Sequence, residues 1–186
     1  MSENIFFDLG KIRRIGRNVI IGKTVRIRYP ELVEIGDNVI IDDFSYISTS
    51  LLIDGNVHIA AGAKLIGGRD SRVKIGEFST LAPNVVIAAG SDDYVSGIAS
   101  PLVPLECKGN VQIGNVELGR HCIVGANTTV LPNVRFEDGA AVGALSLVKT
   151  DIPAWSLFGG VPARRIKSRD REEILRLEEI WRSKKS

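Results

Sequence analysis

The stretch "SDDY", from Ser91 to Tyr94, places two carboxylates next to an aromatic ring. Adjacent carboxylates can hold sugar hydroxyls or an ammonium group, and a tyrosine ring offers a face for stacking. Ser-Asp-Asp is also ordinary turn chemistry, since these side chains bond nearby backbone N–H groups. We therefore keep both interpretations, with Asp92 and Asp93 as catalytic candidates and Ser91, Asp93 and Tyr94 as substrate-binding candidates.

Histidine supplies a third catalytic candidate, because His121 and His58 are the only two imidazoles in the chain. An imidazole with a pKa near 6.5 can remove a proton at neutral pH, and we expect His121 to be placed for that task. The alternative is a polar residue at an exposed corner. A three-histidine zinc centre needs three distinct imidazoles, which the chain lacks, or one imidazole from each subunit at a trimer axis, which would bury the metal away from substrate. We therefore expect no metal.

A basic cluster follows near the C-terminus, within "VKTDIPAWSLFGGVPARRIKSR". Guanidinium and ammonium groups are natural partners of phosphates, and a solvated rim around a buried Trp155 is the alternative. The cluster contains Lys149, Arg164, Arg165, Lys167 and Arg169.

A six-residue repeat must position these groups. Eighteen positions at this spacing are all apolar, although apolar residues make up only 44% of the chain, so the repeat is real. A helical period of 3.6 would spread them around a cylinder, whereas a short strand and a corner per unit would point them inward. Three units per turn predict a β-helix of about six turns, ~29 Å tall at ~4.8 Å per strand. The positions are Ile15, Ile21, Ile27, Ile35, Ile41, Ile47, Ile53, Ile59, Leu65, Ile75, Leu81, Ile87, Leu118, Val124, Val130, Phe136, Val142 and Val148.

The repeat is interrupted three times. Two extra residues near Tyr29 and about four near Arg69 indicate bulges at corners. Between Ile87 and Leu118 the chain leaves the repeat for 30 residues, which is longer than loops in compact domains usually are. This excursion, residues 88–117, contains apolar residues that should pack on its own prism or on a neighbouring subunit.

The last residues predict a helix, because apolar side chains recur at helical spacing after a possible capping box of Asp170 and Glu173. We expect this helix to cover the open end of the prism.

Composition excludes several classes of function. Lys and Arg number 24 against 22 Asp and Glu, which does not favour a nucleic-acid-binding surface. No apolar run approaches the ~20 residues of a membrane span or resembles a signal peptide, so we expect a cytoplasmic protein. The two cysteines, Cys107 and Cys122, lack a CxxC spacing and should be free thiols.

"IGDNVIIDDFSYIS", "LGRHCIVGANTTVLPNV" and "FGGVPARRIK" resemble the hexapeptide-repeat acyltransferases over residues 15–167. The resemblance implies an all-β fold, a left-handed parallel β-helix with a long loop excursion and a C-terminal α-helix. It divides the chain into a β-helix domain, residues 1–167, and a C-terminal helix, residues 168–186.

The resemblance also implies roles for the site residues. In enzymes of this type that acylate nucleotide-linked dideoxy amino sugars, an "SDDF" or "SDDY" stretch opens the loop. Many relatives use a histidine base within the loop, where this chain has Ser91 and Asp92, so the base would be His121 or an acid. Coenzyme A is expected along the last turns, on Gly125, Ala126, Gly143, Ala144, Lys149, Arg164, Arg165 and Lys167.

The sequence therefore predicts an acetyl-CoA-dependent N-acetyltransferase of a nucleotide-linked dideoxy amino sugar, used for surface polysaccharide biosynthesis. We expect a homotrimer with active sites between subunits. O-acetylation of a lipopolysaccharide or capsule sugar is the alternative enzyme function, and a non-enzymatic β-helix scaffold is the alternative outside catalysis.

Overall fold

The computed structural model describes residues 4–184 and consists mainly of short strands. In chain order they are β1 (Arg14–Ile15), β2 (Ile20–Ile21), β3 (Arg26–Ile27), β4 (Val33–Ile35), β5 (Ile40–Ile41), β6 (Tyr46–Ile53), β7 (His58–Ile59), β8 (Lys64–Ile75), β9 (Thr80–Leu81), β10 (Val86–Ala88), β11 (Gly90–Ser91), β12 (Gln112–Ile113), β13 (Asn115–Leu118), β14 (Ile123–Val124), β15 (Thr129–Val130), β16 (Arg135–Phe136), β17 (Ala141–Val142), β18 (Leu147–Val148), β19 (Ser156–Gly159) and β20 (Arg164–Ser168). Helix α1 spans Arg171–Ser183, and single 3-10 turns lie at Leu9–Lys11, Pro30–Leu32 and Leu105–Cys107.

Parallel pairing stacks these strands on three faces of a prism. Face 1 contains β1, β4, the second halves of β6 and β8, β13 and β16. Face 2 contains β2, β5, β7, β9, β14, β17 and β19. Face 3 contains β3, the first halves of β6 and β8, β10, β15 and β18. The first corner joins faces 1 and 2, the second joins faces 2 and 3, and the third joins faces 3 and 1.

The predicted β-helix is confirmed, and it is longer than six turns. A seventh coil forms because Ile152 bridges to Phe136 on face 1, and Phe158 pairs with Val142 on face 2. The six-residue spacing missed this coil since its first inward residue, Ile152, lies only four residues after Val148.

The inward positions form the core. From Ile21 to Val148 the repeat positions are buried, and Ile15 at the start is partly buried against them. Each fully buried Ile or Leu contributes ~1.5–3 kcal/mol of hydrophobic stabilisation, so the stacked ladder is the main source of stability.

The first corner holds a column of residues with positive φ: Asn18, Asn38, Asn56, Phe78, His121, Gly139 and Trp155. Asparagine tolerates this left-handed conformation. The amide of Asn18 donates to Asn38 over 3.1 Å, and that of Asn38 donates to Asn56 over 3.2 Å. The column therefore changes along the prism from an asparagine ladder to an aromatic one.

All three interruptions of the repeat lie at the third corner. The 3-10 turn Pro30–Leu32 accounts for the first, and a register irregularity in β8 near Gly68 accounts for the second. The excursion leaves after β10 and returns before β13, with β11 and β12 pairing antiparallel at its base. This corner therefore collects the loops that can build a site.

Helix α1 begins as predicted, with the Asp170 carboxylate accepting from the Glu173 N–H at 3.0 Å. Its position differs from the expectation, because it runs along the first corner from Trp155 to Phe78 and does not cross the open end. The edge of the last coil is covered by β20, which pairs antiparallel with β19. Among the described residues, no helix has the length and apolarity needed to cross a membrane.

The core ladder can be tested with Ile53→Ala, because Ile53 is fully buried on face 1. We expect the free energy of unfolding to fall by about 2–5 kcal/mol, from lost burial and a residual cavity. Urea unfolding at fixed protein concentration measures the change. Ile5→Ala, at a side chain 65% exposed, is the matched control and should change it by less than ~0.5 kcal/mol. Equal effects of the two substitutions would contradict the ladder.

Candidate active site

An open pocket of about 280 Å³ lies at the base of the excursion. The outgoing limb of the excursion lines it through Ser91 and Asp92, and the returning limb through Lys108 and Gln112. Gly67 of the neighbouring coil closes one side. The structure thus places two of the predicted residues, Ser91 and Asp92, in a polar pocket at the third corner.

The carboxylate of Asp93 forms hydrogen bonds within the excursion. Its Oδ1 accepts from the N–H groups of Val95 (2.8 Å) and Ser96 (3.1 Å). Its Oδ2 accepts from the Ser96 hydroxyl (2.8 Å) and the Asn110 N–H (2.9 Å). These hydrogen bonds, led by those from Asn110 and Val95, hold the pKa of Asp93 far below its usual range. Asp93 is therefore an ionised clamp between the two limbs.

Asp92 has a different environment. Its Oδ1 lies 3.3 Å from the Nζ of Lys108, and its side chain is 41% exposed. Ser91 Oγ donates to the Asp92 carbonyl at 3.1 Å, and Tyr94 is 92% exposed at the surface of the excursion. Of the two adjacent acids, Asp92 is the one that can receive a ligand.

His121 lies at the first corner, away from the excursion, and is buried. Its Nε2 is 2.6 Å from Glu178 Oε2 of α1, and its ring stacks on Phe78 with centroids 5.1 Å apart. Arg169 donates to its carbonyl oxygen at 2.7 Å. In the single chain, His121 is thus part of the contact that docks the helix.

Glu178 joins the helix to the prism through several cations. It pairs with Arg120 and, at 2.7 Å, with Arg182, whose guanidinium also contacts Glu77 at 2.7 Å. Burial raises the pKa of the Glu178 carboxyl, but hydrogen bonds from Arg182 and His121 outweigh burial and leave the pKa below its usual value. The sequence carried no signal for Glu178, since it looks like any acid on a solvated helix.

The second corner gathers the residues expected to bind the acyl donor. Gly125 and Ala126 follow β14, and Gly143 and Ala144 follow β17 one coil later. A Cβ on Gly125 would lie 2.4 Å from the backbone nitrogen of Ala144, so this position requires glycine. Around Gly143 the nearest heavy atom to such a Cβ is 3.7 Å away, which leaves the backbone open to a ligand.

The basic cluster does not meet at one point. Arg164 and Arg165 are exposed on β20, opposite Gly159 and Phe158, at the same end of face 2 as the second corner. Lys167 lies at the other end of this strand, opposite Leu157, and Lys149 follows β18 at the third corner.

Arg169 points away from the rim. It donates to the carbonyl oxygens of His121 and Gly139, both at 2.7 Å, and burial lowers the pKa of its guanidinium. It therefore links two adjacent residues of the first corner column and takes no part in an exposed phosphate site.

The cysteines do not suggest a nucleophile. Cys122 is buried, and burial raises the pKa of its thiol to about 12. Cys107 is exposed on the excursion. Within residues 4–184, no group of three His, Cys, Asp or Glu side chains could hold a metal.

The helix contact predicts a result for Glu178→Gln. Losing the charge shared by Arg120, Arg182 and His121 should cost about 1 kcal/mol, and amide exchange in α1 should become about fivefold faster at pH 7. Because the pKa of Glu178 is lowered in the folded state, its carboxylate stabilises the docked helix fully above the ordinary pKa of about 4.5. This stabilisation is lost as the pH falls through the lowered pKa, and there the difference from wild type should vanish.

Glu173→Gln is the matched control, since Glu173 pairs with Arg176 within the helix. Unchanged exchange of α1 in Glu178→Gln, or an equal change in the control, would contradict this docking contact.

No family model matches the chain. The dTDP-4-amino-4,6-dideoxy-D-glucose acyltransferase of Escherichia coli is 35% identical over 175 residues, which are 91% of this chain and 88% of that protein. The putative lipopolysaccharide biosynthesis O-acetyl transferase WbbJ of E. coli K12 is 30% identical over 130 residues, 70% of this chain and 63% of that protein.

Solved structures of an N-acyltransferase are similar to this chain over nearly its whole length. AntD, an N-acyltransferase from Bacillus cereus in complex with dTDP and 3-hydroxybutyryl-CoA, superposes with a TM-score of 0.89 at 34% identity, covering 98% of this chain and all of AntD. A variant of AntD with dTDP-4-amino-4,6-dideoxyglucose and coenzyme A gives 0.88 at 35% identity, over 97% and 99% of the two chains. The chain therefore belongs to the hexapeptide-repeat acyltransferases, in the family of the dTDP-4-amino-4,6-dideoxyglucose acyltransferase.

Proposed function

We propose that this acyltransferase moves an acetyl group from acetyl-CoA to the amine of a dTDP-linked 4-amino-4,6-dideoxy sugar. The observation that carries the proposal is the likeness to AntD over nearly the whole of both chains, because AntD binds this kind of sugar nucleotide and coenzyme A. The excursion, which distinguishes the chain from a plain prism, is where the acceptor is bound. We assign the product to surface polysaccharide biosynthesis and the reaction to the cytoplasm.

Asp92 is the group we assign to the acceptor amine. Its carboxylate borders the pocket and accepts one contact from Lys108, so it can also accept an N–H of the amine. The neutral amine attacks the thioester carbonyl carbon, the new C–N bond forms, and the C–S bond breaks. Asp92 collects the proton from nitrogen, and coenzyme A leaves as the thiolate, which takes up this proton to become the thiol and so restores the Asp92 carboxylate. Tyr94 and Ser91 contact the sugar nucleotide.

Asp93 supports this role by fixing the loop, and His121 is the alternative base. An amine needs less help than a hydroxyl, because a neutral amine is already nucleophilic. His121 is engaged by Glu178 and stacked on Phe78, which favours Asp92 as the proton acceptor in our proposal.

The donor is assigned to the second corner. The pantetheine arm follows the backbone at Gly125, Ala126, Gly143 and Ala144, where small residues allow close approach. Arg164 and Arg165 bind the phosphates, with Lys167 and Lys149 contributing charge at the two neighbouring corners.

A homotrimer completes the site in our proposal. The donor residues lie at the second corner and Asp92 lies at the third, with face 3 between them. A neighbouring subunit can bring its own second corner against the excursion. The excursion also exposes large apolar side chains that a neighbour would bury: Tyr94, Val95, Ile98, Leu102 and Leu105.

O-acetylation is the second candidate, and its support is the similarity to WbbJ. A hydroxyl acceptor must lose its proton during attack, so it would depend on a general base more strongly than an amine does.

The function is tested by incubating the protein with acetyl-CoA and matched dTDP sugars that carry an amine or a hydroxyl at C4, and by following thiol release. We expect the amino sugar to react. Asp92→Asn should slow acyl transfer at least ~100-fold, as loss of a proton acceptor does, whereas His121→Asn should stay within about threefold.

Reaction of only the hydroxyl sugar would replace the proposed acceptor with the alternative. A large loss in His121→Asn with none in Asp92→Asn would transfer the role of base to His121. No thiol release with any sugar would contradict the proposed function.

A further inference from the structure

Lys108 lies on the returning limb of the excursion and is unusual for a lysine. Its side chain is only 14% exposed, although most of the surrounding loop is exposed. Lysines are seldom buried unless they are paired, and here the ammonium contacts Asp92 Oδ1 at 3.3 Å. The proposed function does not by itself explain a lysine in this place.

The backbone around Lys108 is held from two sides. A Cβ on Gly97 would lie 1.9 Å from the Lys108 carbonyl oxygen, so only glycine allows this close approach of the two limbs. The Ile98 N–H donates to the Cys107 carbonyl at 3.0 Å. On the other side, the Asp93 carboxylate accepts from the Asn110 N–H at 2.9 Å. The backbone contacts of the loop therefore fix the direction in which the Lys108 side chain points.

Asp92 and Lys108 are the titratable side chains among the described residues that line this pocket. Asp93, the next acid in the chain, turns toward Val95, Ser96 and Asn110 of the loop. An acceptor that reaches Asp92 therefore meets a carboxylate already accompanied by a cation.

This pairing affects the two protonation states of an amine differently. A neutral amine can donate an N–H to Asp92 at no electrostatic cost from Lys108. An ammonium group in the same position would lie close to a like charge, which disfavours its charged form. Only the neutral amine is a nucleophile, so the cation favours the reactive state.

We propose that Lys108 is a positioning and specificity-determining residue that aims the Asp92 carboxylate into the pocket and keeps the bound acceptor amine neutral. The inference rests on the proposed function, since it concerns the amine of that acceptor. It assigns a role to a loop cation outside the repeat and outside the basic cluster.

The test is the single-turnover rate of acyl transfer against pH, at saturating acetyl-CoA and dTDP-4-amino-4,6-dideoxyglucose. In wild type, the rate should rise with pH as the bound ammonium loses its proton and then level off. Lys108→Met and Lys108→Gln remove the repulsion and raise the pKa of the bound amine. The rising part of the pH–rate profile should therefore move about one pH unit upward, and at a given pH within it the rate should be about tenfold lower.

Two further variants separate this role from a purely structural one. Lys108→Arg keeps the charge, so the rise in rate should occur near the same pH as in wild type. Lys23→Met removes an exposed cation from the first coil. It should change neither the pH at which the rate rises nor the rate itself. Thermal unfolding identifies a neutral variant that fails to fold, in which case the other neutral variant provides the comparison.

The proposal is overturned if folded Lys108→Met or Lys108→Gln shows the rise in rate at the same pH as wild type, whatever the size of the rate. It is also overturned if Lys108→Arg shifts this rise as far as those two variants do. Lack of transfer by the wild-type protein is a different outcome, because it contradicts the proposed function itself.

Discussion

The structure depends on the stacking of inward-facing aliphatic side chains. Ile35, Ile53 and Ile75 lie above one another on face 1, and the other two faces repeat this arrangement. Because each coil must bring an apolar side chain to the same place, the corners between strands are also brought into register. Residues that are distant in sequence therefore form three columns, one at each edge of the prism.

Each column has a different chemical character. The first corner is aromatic near the C-terminal end, where α1 is docked through Glu178 and His121. The second offers open backbone at Gly143 next to the arginines of β20. The third carries every interruption of the repeat, including the excursion with Asp92. Donor and acceptor groups are therefore kept apart within one chain, and catalysis becomes a property of the assembled subunits in our account.

The sequence predicted the ladder and the excursion because both depend on spacing alone. It could not predict contacts between residues far apart in the chain. Asp92 and Asp93 look equivalent in sequence, and only the folded loop, through Lys108 and Asn110, separates their environments. Periodicity likewise predicted α1, but the location expected for it, at the open end of the prism, was wrong, since the partner of Glu178 is a corner residue 57 positions away.

The central claim, that one subunit supplies Asp92 and its neighbour supplies the donor corner, is tested most directly with hybrid oligomers. Asp92→Asn chains and Arg164→Ala/Arg165→Ala chains, carrying different affinity tags, would be co-expressed, purified on both tags and assayed at low acetyl-CoA. A cyclic trimer with shared sites has one intact site in three, so activity should recover to about one third of wild type. Activity no higher than the average of the two parent variants would contradict the account.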